Sequence, residues 1–243
     1  MTRVLITGAN RGVGLALVHQ YASAGSEVIA CCRDPQNAQE LQNLARNSGD
    51  RVKIMQLDVA DQASISALKQ AVGVQPIDIL INNAGINGTP KPQSANCIDA
   101  ENWMLTMRIN ALGPILVAQA LRDNILHSSE KKVVAISSVY GSITKDYGAG
   151  YASSRERYAY RSSKAALNNI MHALARDWAA DGVLVGILDP GFVRTDMTGE
   201  LGRTSSSSIS AEESASGLKD RIAQLTTETS GEFQRFWGEP IPW

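Results

Sequence analysis

The chain has 243 residues, a formal net charge of −1 and 44% hydrophobic residues, enough for one large α/β domain or two small ones. The near-neutral charge and the lack of a basic patch argue against nucleic acid as a partner, and no apolar run approaches membrane-spanning length. The three cysteines, Cys31, Cys32 and Cys97, have no metal-ligand spacing, and the strand-like start at Met1 leaves no signal peptide. We therefore expect a cytoplasmic protein without a metal site.

Short apolar runs alternate with longer helical patterns along the chain. The runs are apolar nearly throughout, which is typical of parallel strands covered on both faces. They lie at 4–7, 28–32, 52–57, 77–82, 133–137, 183–188 and, more weakly, 233–237, with helical patterns near 12–24, 35–47, 61–72, 99–127, 157–181 and 211–225. Without a repeat or dividing linker, the alternation predicts one doubly wound Rossmann-type α/β domain over residues 1–243. Its parallel seven-stranded sheet should carry helices on both faces.

Polar and small residues follow each of the six stronger apolar runs. In chain order they are Thr7-Gly8, Arg33, Asp58, Asn82-Asn83-Ala84-Gly85, Ser137-Ser138 and Pro190-Gly191. Ligands bind at the carboxyl edge of an open α/β sheet, where the ends of parallel strands meet. We therefore expect these residues to form one site.

A glycine-rich turn joins the first predicted strand to the first predicted helix. Its spacing, Gly-x-x-x-Gly-x-Gly, differs from the general Gly-x-Gly-x-x-Gly fingerprint. Glycines allow close approach to a ligand, and the N–H groups at a helix start suit a pyrophosphate. A plain βα connection is the alternative, but the place of the turn in the first βα unit favours a dinucleotide site. The expected contacts are Gly8, Asn10, Arg11, Gly12, Val13 and Gly14.

The residues after the second predicted strand bear on which dinucleotide is bound. NAD sites usually place an acid there for the ribose 2′-hydroxyl, but this position holds Cys32 and is followed by Arg33. Arg11 adds a second cation in the glycine turn, and two guanidinium groups suit a 2′-phosphate. NADP is therefore favoured over the alternative that both arginines are solvated surface groups. A shift of one residue in the strand end would place Asp34 near the ribose and permit NAD.

Two further strand ends carry candidate cofactor contacts. Asp58 could accept a hydrogen bond from an adenine amino group, or it could cap the helix predicted to begin near Asp61. The Asn82-Asn83-Ala84-Gly85 segment could hold the backbone open beside a flat cofactor, or could form an ordinary turn.

A tyrosine and a lysine one turn apart share the buried face of the helix predicted near 157–181. Tyr160 and Lys164 head a stripe that continues with Leu167, Met171, Leu174 and Trp178. Polar groups on a buried face are costly unless they are paired or used. Tyr158, six positions before Lys164, lies on a different face, so Tyr160 is the candidate for chemistry.

Taken together, these motifs resemble the short-chain dehydrogenase/reductase family, and they follow the family's order over nearly the whole chain. The motifs are Thr7-Gly8…Gly12-Val13-Gly14, Asp58-Val59, Asn82-Asn83-Ala84-Gly85, Asn110, Ser138, Tyr160-x-x-x-Lys164 and Pro190-Gly191-Phe192-Val193-Arg194-Thr195. The segment around Tyr160 and the ending 237–243 look most like the C-factor and sniffer-type carbonyl reductase branch.

The resemblance implies a role for each matching residue. Ser138 would hold the substrate carbonyl, and Asn110 would hold a water in a proton relay. Tyr160 would give the proton, with Lys164 lowering its pKa and binding the nicotinamide ribose. Cofactor contacts are expected from Asp58, Val59, Asn83, Ala84, Gly85, Tyr160, Lys164, Pro190, Gly191, Val193 and Thr195.

Three functions remain open on the sequence: an NADPH-dependent aldehyde or ketone reductase, an NAD-dependent alcohol dehydrogenase, and a cofactor-binding sensor with little turnover. The substrate should be a small molecule, and no cluster of Arg or Lys indicates an acidic one.

Residues 196–215, which include a serine run, are expected to form a mobile substrate lid. Ser138 lies 22 positions before Tyr160, longer than the familiar family interval. We expect the extra residues to form a loop over the site, and a homo-oligomer (dimer or tetramer) is possible.

Overall fold

The structure is a computed structural model that describes residues 1–88, 96–144 and 157–243. Within these ranges, seven parallel strands form one sheet in the order β3-β2-β1-β4-β5-β6-β7. The strands are β1 (Arg3–Thr7), β2 (Glu27–Cys32), β3 (Val52–Gln56), β4 (Ile79–Asn82), β5 (Lys132–Ile136), β6 (Leu184–Asp189) and β7 (Phe233–Arg235). Because the strand order reverses between β1 and β4, the crevice at that switch point lies at the carboxyl edge. The predicted Rossmann-type fold is confirmed.

Helices connect the strands and cover both faces of the sheet. In the described ranges they are α1 (Gly12–Ser23), α2 (Gln39–Arg46), α3 (Gln62–Val72), α4 (Ala100–Met107), α5 (Gly113–Ala120), α6 (Arg122–Leu126), α7 (Tyr158–Asp177), α8 (Gly199–Thr204) and α9 (Ala211–Ala223). Short 3₁₀ turns lie at Val139–Gly141 and Ala179–Asp181. None of these helices is both long enough and apolar enough to cross a membrane.

The sheet separates two hydrophobic cores because alternate strand residues face opposite sides. In β1, Leu5 belongs to the core under α3, α5 and α7, whereas Val4 and Ile6 belong to the core under α1 and α9. All three side chains are fully buried. Burial on both faces explains why the strands read as continuous apolar runs.

The helical pattern predicted over 99–127 is divided in the structure. A π-helical turn, Arg108–Leu112, separates α4 from α5, and Pro114 lies at the start of α5. A proline is tolerated in the first turn of a helix because its missing N–H has no partner there. The backbone register changes at Asn110, which is buried in the middle of the π-helical turn.

The segment predicted as a lid contains regular structure. It holds α8 and the first turns of α9, and Ser208 in the serine run is buried, with its Oγ 2.8 Å from the Ser205 carbonyl oxygen. The loop expected between Ser138 and Tyr160 falls mostly on residues 145–156, outside the described residues.

Candidate active site

A cleft of about 510 Å³ opens at the carboxyl edge of the sheet, within the range of small-molecule sites. It gathers most of the predicted cofactor contacts from five strand ends and from α7. They are Gly8, Asn10, Arg11, Gly12, Val13, Gly14, Arg33, Asp58, Val59, Asn83, Ala84, Gly85, Tyr160, Lys164, Pro190 and Thr195. The predicted convergence of polar strand ends is therefore present in the structure.

Gly191 and Val193 do not line the cleft. A Cβ on Gly191 would lie 2.8 Å from the Phe236 ring, so this turn packs against the segment that follows β7. Val193 is buried and pairs with Ile209. These two residues support the cleft wall from behind.

The glycine turn is fastened to the end of β4 by hydrogen bonds. The Asn83 side-chain amide donates to the carbonyl oxygens of Thr7 and Gly8, each at 3.0 Å. In return, the Thr7 hydroxyl accepts from the backbone N–H groups of Asn83 and Ala84, also at 3.0 Å. Sequence reasoning did not single out Thr7 for this role, because the contact joins residues 76 positions apart. The turn is thus held open toward the cleft at the start of α1.

We predict that Gly14→Ala disrupts both folding and the cleft. A Cβ at this position would lie 2.2 Å from the Gly8 carbonyl oxygen and 2.5 Å from Asn83 Nδ2. The turn would have to move, at a cost of about 2 kcal/mol or more in unfolding free energy. Thermal or urea denaturation measures this loss. Gly25→Ala is the control, since a Cβ there meets nothing within 4 Å and only its left-handed backbone is penalised, by about 1 kcal/mol; equal losses in the two variants would contradict the prediction.

The end of β2 carries an exposed arginine and an acid that already accepts hydrogen bonds within the protein. Asp34 accepts from the Asn37 backbone N–H at 3.2 Å and from the Asn37 side-chain amide at 2.6 Å. These hydrogen bonds lower the pKa of Asp34. Arg33 is exposed and also lines the cleft. On the opposite wall, Arg11 forms an exposed ion pair with Asp196 at 3.5 Å.

Asp58 does not cap α3, so that alternative is wrong. The cap is Asp61, whose carboxylate accepts from the backbone N–H groups of Ala63 and Ser64. Asp58 instead accepts from the Ala60 N–H at 2.9 Å and borders the cleft. Its other predicted role, contact with an adenine, stays a prediction.

The candidate catalytic tyrosine and serine meet where α7 packs on the 3₁₀ turn after β5. Tyr160 and Ser138 are both 8% exposed, and the Ser138 side chain is close enough to lower the pKa of the tyrosine. Gly141 permits this close packing, because a Cβ there would lie 2.9 Å from the Lys164 carbonyl oxygen and 2.7 Å from Asn168 Nδ2. Burial raises the pKa of Tyr160 to about 12, although the nearby Ser138 side chain opposes the rise.

The predicted effect of Lys164 on this tyrosine is not present in the structure. The Lys164 ammonium donates to the Ile136 carbonyl oxygen at 2.8 Å and lies 5.8 Å from the centre of the Tyr160 ring. Burial lowers the pKa of Lys164 to about 8, against an opposing effect of the Asp189 carboxylate. The lowered tyrosine pKa expected from the sequence is therefore wrong for the protein alone. Desolvation of the phenol outweighs the effects of Ser138 and Arg157, which lower its pKa.

Asn110 is placed beside the lysine, but its side chain has a structural task. Its Oδ1 accepts from the Ile86 N–H and its Nδ2 donates to the Ile86 carbonyl oxygen, both at 2.8 Å. Nδ2 also donates to the Ser163 hydroxyl at 3.0 Å. These bonds fix the chain after β4 against α7. A Cβ on Gly85 would lie 3.3 Å from Asn110 Oδ1 and 3.8 Å from Lys164 Nζ, so the three residues meet at the cleft floor.

A buried acid that the sequence-based predictions missed ties two parts of the site together. Asp189 is 2% exposed; one oxygen accepts from the Val139 N–H at 2.7 Å, and the other from the Gly191 N–H at 3.2 Å. Arg235 in β7 lies 3.4 Å from the second oxygen. The signal was available in the sequence, because Asp189 ends an apolar strand directly before Pro190.

A chain of contacts extends from Tyr160 through four further residues. Arg157 donates to the Asn87 side-chain carbonyl at 2.9 Å and lies 6.0 Å from the centre of the Tyr140 ring. The Tyr140 and Tyr160 rings meet edge to face at 6.2 Å. Asn87 also donates to the Met197 carbonyl oxygen at 3.4 Å. We call Asn87, Tyr140, Arg157 and Met197 the site rim.

A dinucleotide-type cleft, a buried tyrosine and lysine one turn apart, and a nearby buried serine define a class of oxidoreductase site. A family model described as short chain dehydrogenase matches residues 2–206. The chain belongs to the short-chain dehydrogenase/reductase family.

Comparisons with individual proteins agree with this assignment and with the predicted branch. The C-signal protein of Myxococcus xanthus is 33% identical over 168 residues, 69% of this chain and 93% of that protein. The NADPH-bound carbonyl reductase from chicken fatty liver superposes with a TM-score of 0.92 at 32% identity, covering 100% of this chain and 94% of its own. The carbonyl reductase Sniffer of Drosophila melanogaster gives a TM-score of 0.86 at 28% identity, with both chains fully covered.

Proposed function

We propose that the protein reduces the carbonyl group of a small aldehyde or ketone with NADPH, and catalyses the reverse oxidation of the alcohol. The observation that carries this proposal is the buried Tyr160, which lines the cleft beside Lys164 and is close to Ser138. The similarity to an NADPH-bound carbonyl reductase supports it.

The shape and chemistry of the cleft fit a nicotinamide dinucleotide. The glycine turn offers backbone at the start of α1 where a pyrophosphate would bind, and Asn83 holds that backbone in place. Bound there, the cofactor would supply a hydride to the carbonyl carbon. Asp58 and Val59 would border the adenine end; Asn83, Ala84 and Gly85 would line the middle; Pro190 and Thr195 would face the nicotinamide end, with Gly191 and Val193 behind them.

The chain's own residues would handle the charge that develops on the carbonyl oxygen. Ser138 Oγ would donate a hydrogen bond to that oxygen, and Tyr160 would deliver the proton. Because burial holds the pKa of Tyr160 at about 12, the phenol is protonated at neutral pH and ready to act as the acid. Lys164 would hold the cofactor ribose. Asn110 would hold the residues at the cleft floor in place, where protons would be relayed from solvent.

The charges around the cleft support NADPH over NADH. Arg33 is exposed at the end of β2, and Arg11 stands across the cleft in the glycine turn. Asp34, the acid that could have selected NAD, is committed to Asn37. A 2′-phosphate would find two guanidinium groups among the residues that line the cleft.

We predict that Arg33→Gln reduces the preference for NADPH over NADH by about ten-fold or more, because a charge-assisted hydrogen bond contributes roughly 1.5–3 kcal/mol. The ratio of the two dissociation constants, measured by fluorescence titration, reports this change. Arg46→Gln is the matched control, since Arg46 is exposed in α2 and bonded to Asn43. Tighter binding of NADH than NADPH by the unaltered protein would overturn the assignment from Arg11 and Arg33.

We also propose that residues 1–243 act as one catalytic domain and that residues 196–215 close over the substrate. The Arg11–Asp196 ion pair already joins this segment to the glycine turn. The proposed function requires a small-molecule substrate and no macromolecular partner. Assembly into a dimer or tetramer stays a prediction from the family resemblance.

The proposed function is tested by following absorbance of the reduced cofactor with a panel of aldehydes and ketones, using NADPH and NADH in parallel. We expect turnover with at least one class of carbonyl compound and a higher kcat/KM with NADPH. Turnover only with NADH would favour the alternative NAD-dependent alcohol dehydrogenase. Firm cofactor binding without turnover on any substrate would favour a sensor and contradict the proposal.

A further inference from the structure

The site rim carries a positive charge that the proposed reduction does not itself require. Arg157 directly precedes α7 and lies one helical turn before Tyr160. Its guanidinium faces the Tyr140 ring and the Asn87 amide. Its charge also acts on the Tyr160 phenol, lowering its pKa against the larger effect of burial. The guanidinium therefore lies close to the reacting groups rather than on a remote surface.

Among residues 1–88, 96–144 and 157–243, no carboxylate forms an ion pair with Arg157. Its described partners are a neutral amide and an aromatic ring. An arginine offers five N–H donors in a planar fork that matches a carboxylate. One donor is used by Asn87, and the positive end of the α7 dipole adds to the local charge.

The geometry of the cleft directs part of the substrate toward this rim. The carbonyl oxygen must lie at Ser138 and Tyr160, and the glycine-turn side of the cleft is the cofactor's side. Tyr160 is flanked on its other side by Tyr140, whose ring meets it at 6.2 Å. A substituent on the carbonyl would therefore extend over Tyr140 toward Arg157. The Arg157 guanidinium lies only 6.0 Å from the centre of the Tyr140 ring, so a short substituent is long enough.

We propose that Arg157 makes the enzyme selective for carbonyl substrates that carry a carboxylate or similar anionic group a few bonds from the reacting carbon. Tyr140 would contact the intervening part of the substrate, and Asn87 would hold the guanidinium in place. This inference rests on the proposed carbonyl reduction and names the substrate class for it. No cluster of basic residues in the sequence suggests such a substrate, and the structure supplies a single positioned guanidinium instead.

The test compares matched aldehydes that carry either a carboxylate or its neutral methyl ester. The probes are 4-carboxybenzaldehyde and 3-carboxybenzaldehyde, each against its methyl ester, with NADPH in excess. For the unaltered enzyme we expect kcat/KM to be about ten-fold or more higher for at least one acid than for its ester, because charge-assisted bidentate bonds are strong. In Arg157→Gln we expect this ratio to fall to about one, mainly through KM of the acid.

Two further variants separate recognition from structure. Arg157→Lys keeps the charge but not the fork, so it should retain part of the preference. Arg176→Gln removes a positive charge from the last turn of the same helix, far from Tyr160, and should leave the acid-to-ester ratio as it is. An equal loss for acid and ester in Arg157→Gln, or no preference for either acid in the unaltered enzyme, would overturn the inference. Turnover of the neutral esters alone would leave the proposed reduction standing, whereas no turnover of any probe or panel carbonyl would contradict that function itself.

Discussion

Replacing Tyr160 with phenylalanine is expected to lower kcat for carbonyl reduction by about 10³-fold or more, while changing NADPH affinity by less than about three-fold. The hydroxyl is the proton donor nearest the place where the carbonyl oxygen would lie, and general acid catalysis contributes 10²–10⁴-fold. The ring stays packed against Tyr140, so the cleft should keep its shape. Steady-state kinetics and a fluorescence titration with NADPH measure the two effects separately.

Tyr158→Phe is the matched control for this variant. Tyr158 is two residues upstream on a different face of α7 and is 37% exposed. Removing its hydroxyl should change kcat by less than about two-fold. Undiminished turnover in Tyr160→Phe would show that another group supplies the proton, whereas equal losses in both variants would indicate a general effect on α7.

Lys164→Ala should lower kcat and weaken NADPH binding together. The ammonium lies on the cleft wall, where it would hold the cofactor ribose, and it donates to the Ile136 carbonyl oxygen. Removing it leaves that buried acceptor without its donor and deletes a cofactor contact, which together are worth roughly 2–4 kcal/mol. The control is Lys69→Ala, which removes an exposed partner of Asp123 and should change neither quantity. An effect on kcat with unchanged NADPH affinity would contradict the ribose role.

The pKa of Lys164 also sets an expected pH dependence. Burial lowers it to about 8, so the side chain is charged below that pH and neutral above it. Tyr160, with a pKa of about 12, stays protonated throughout this range. The rate of carbonyl reduction should therefore fall as pH rises through about 8, and Lys164→Ala should lose that limb of the profile. A reduction rate that rises as the pH increases through 8 would contradict this prediction.

The elements set by local sequence could be predicted well. Continuous apolar runs give buried parallel strands, and the four-residue spacing of Tyr160 and Lys164 places both on one helix face without tertiary information. The glycine turn could be predicted because its glycines directly follow the apolar run of β1. Local patterns could not predict that the long helical pattern is interrupted at Asn110. The hydrogen bonds that stabilise this interruption join Asn110 to Ile86 and Ser163, which are distant in sequence.

The properties that depend on packing were less accessible. The raised pKa of Tyr160 comes from burial between α7 and the turn after β5, which the Tyr-x-x-x-Lys spacing does not encode. Asp189 has partners 50 and 46 residues away, Val139 and Arg235, so its task appears only when β5, β6 and β7 are side by side. The position of Arg157 over Tyr140 likewise depends on the contact between α7 and that same turn.

Hydride transfer to a carbonyl carbon can be followed with NADPH that carries deuterium at both C4 positions. The enzyme is mixed with this cofactor and a carbonyl substrate selected from the panel, and the alcohol is examined by mass spectrometry. We predict one deuterium per molecule, bound to the former carbonyl carbon. An alcohol without deuterium, or intact cofactor with no alcohol formed, would contradict the assignment.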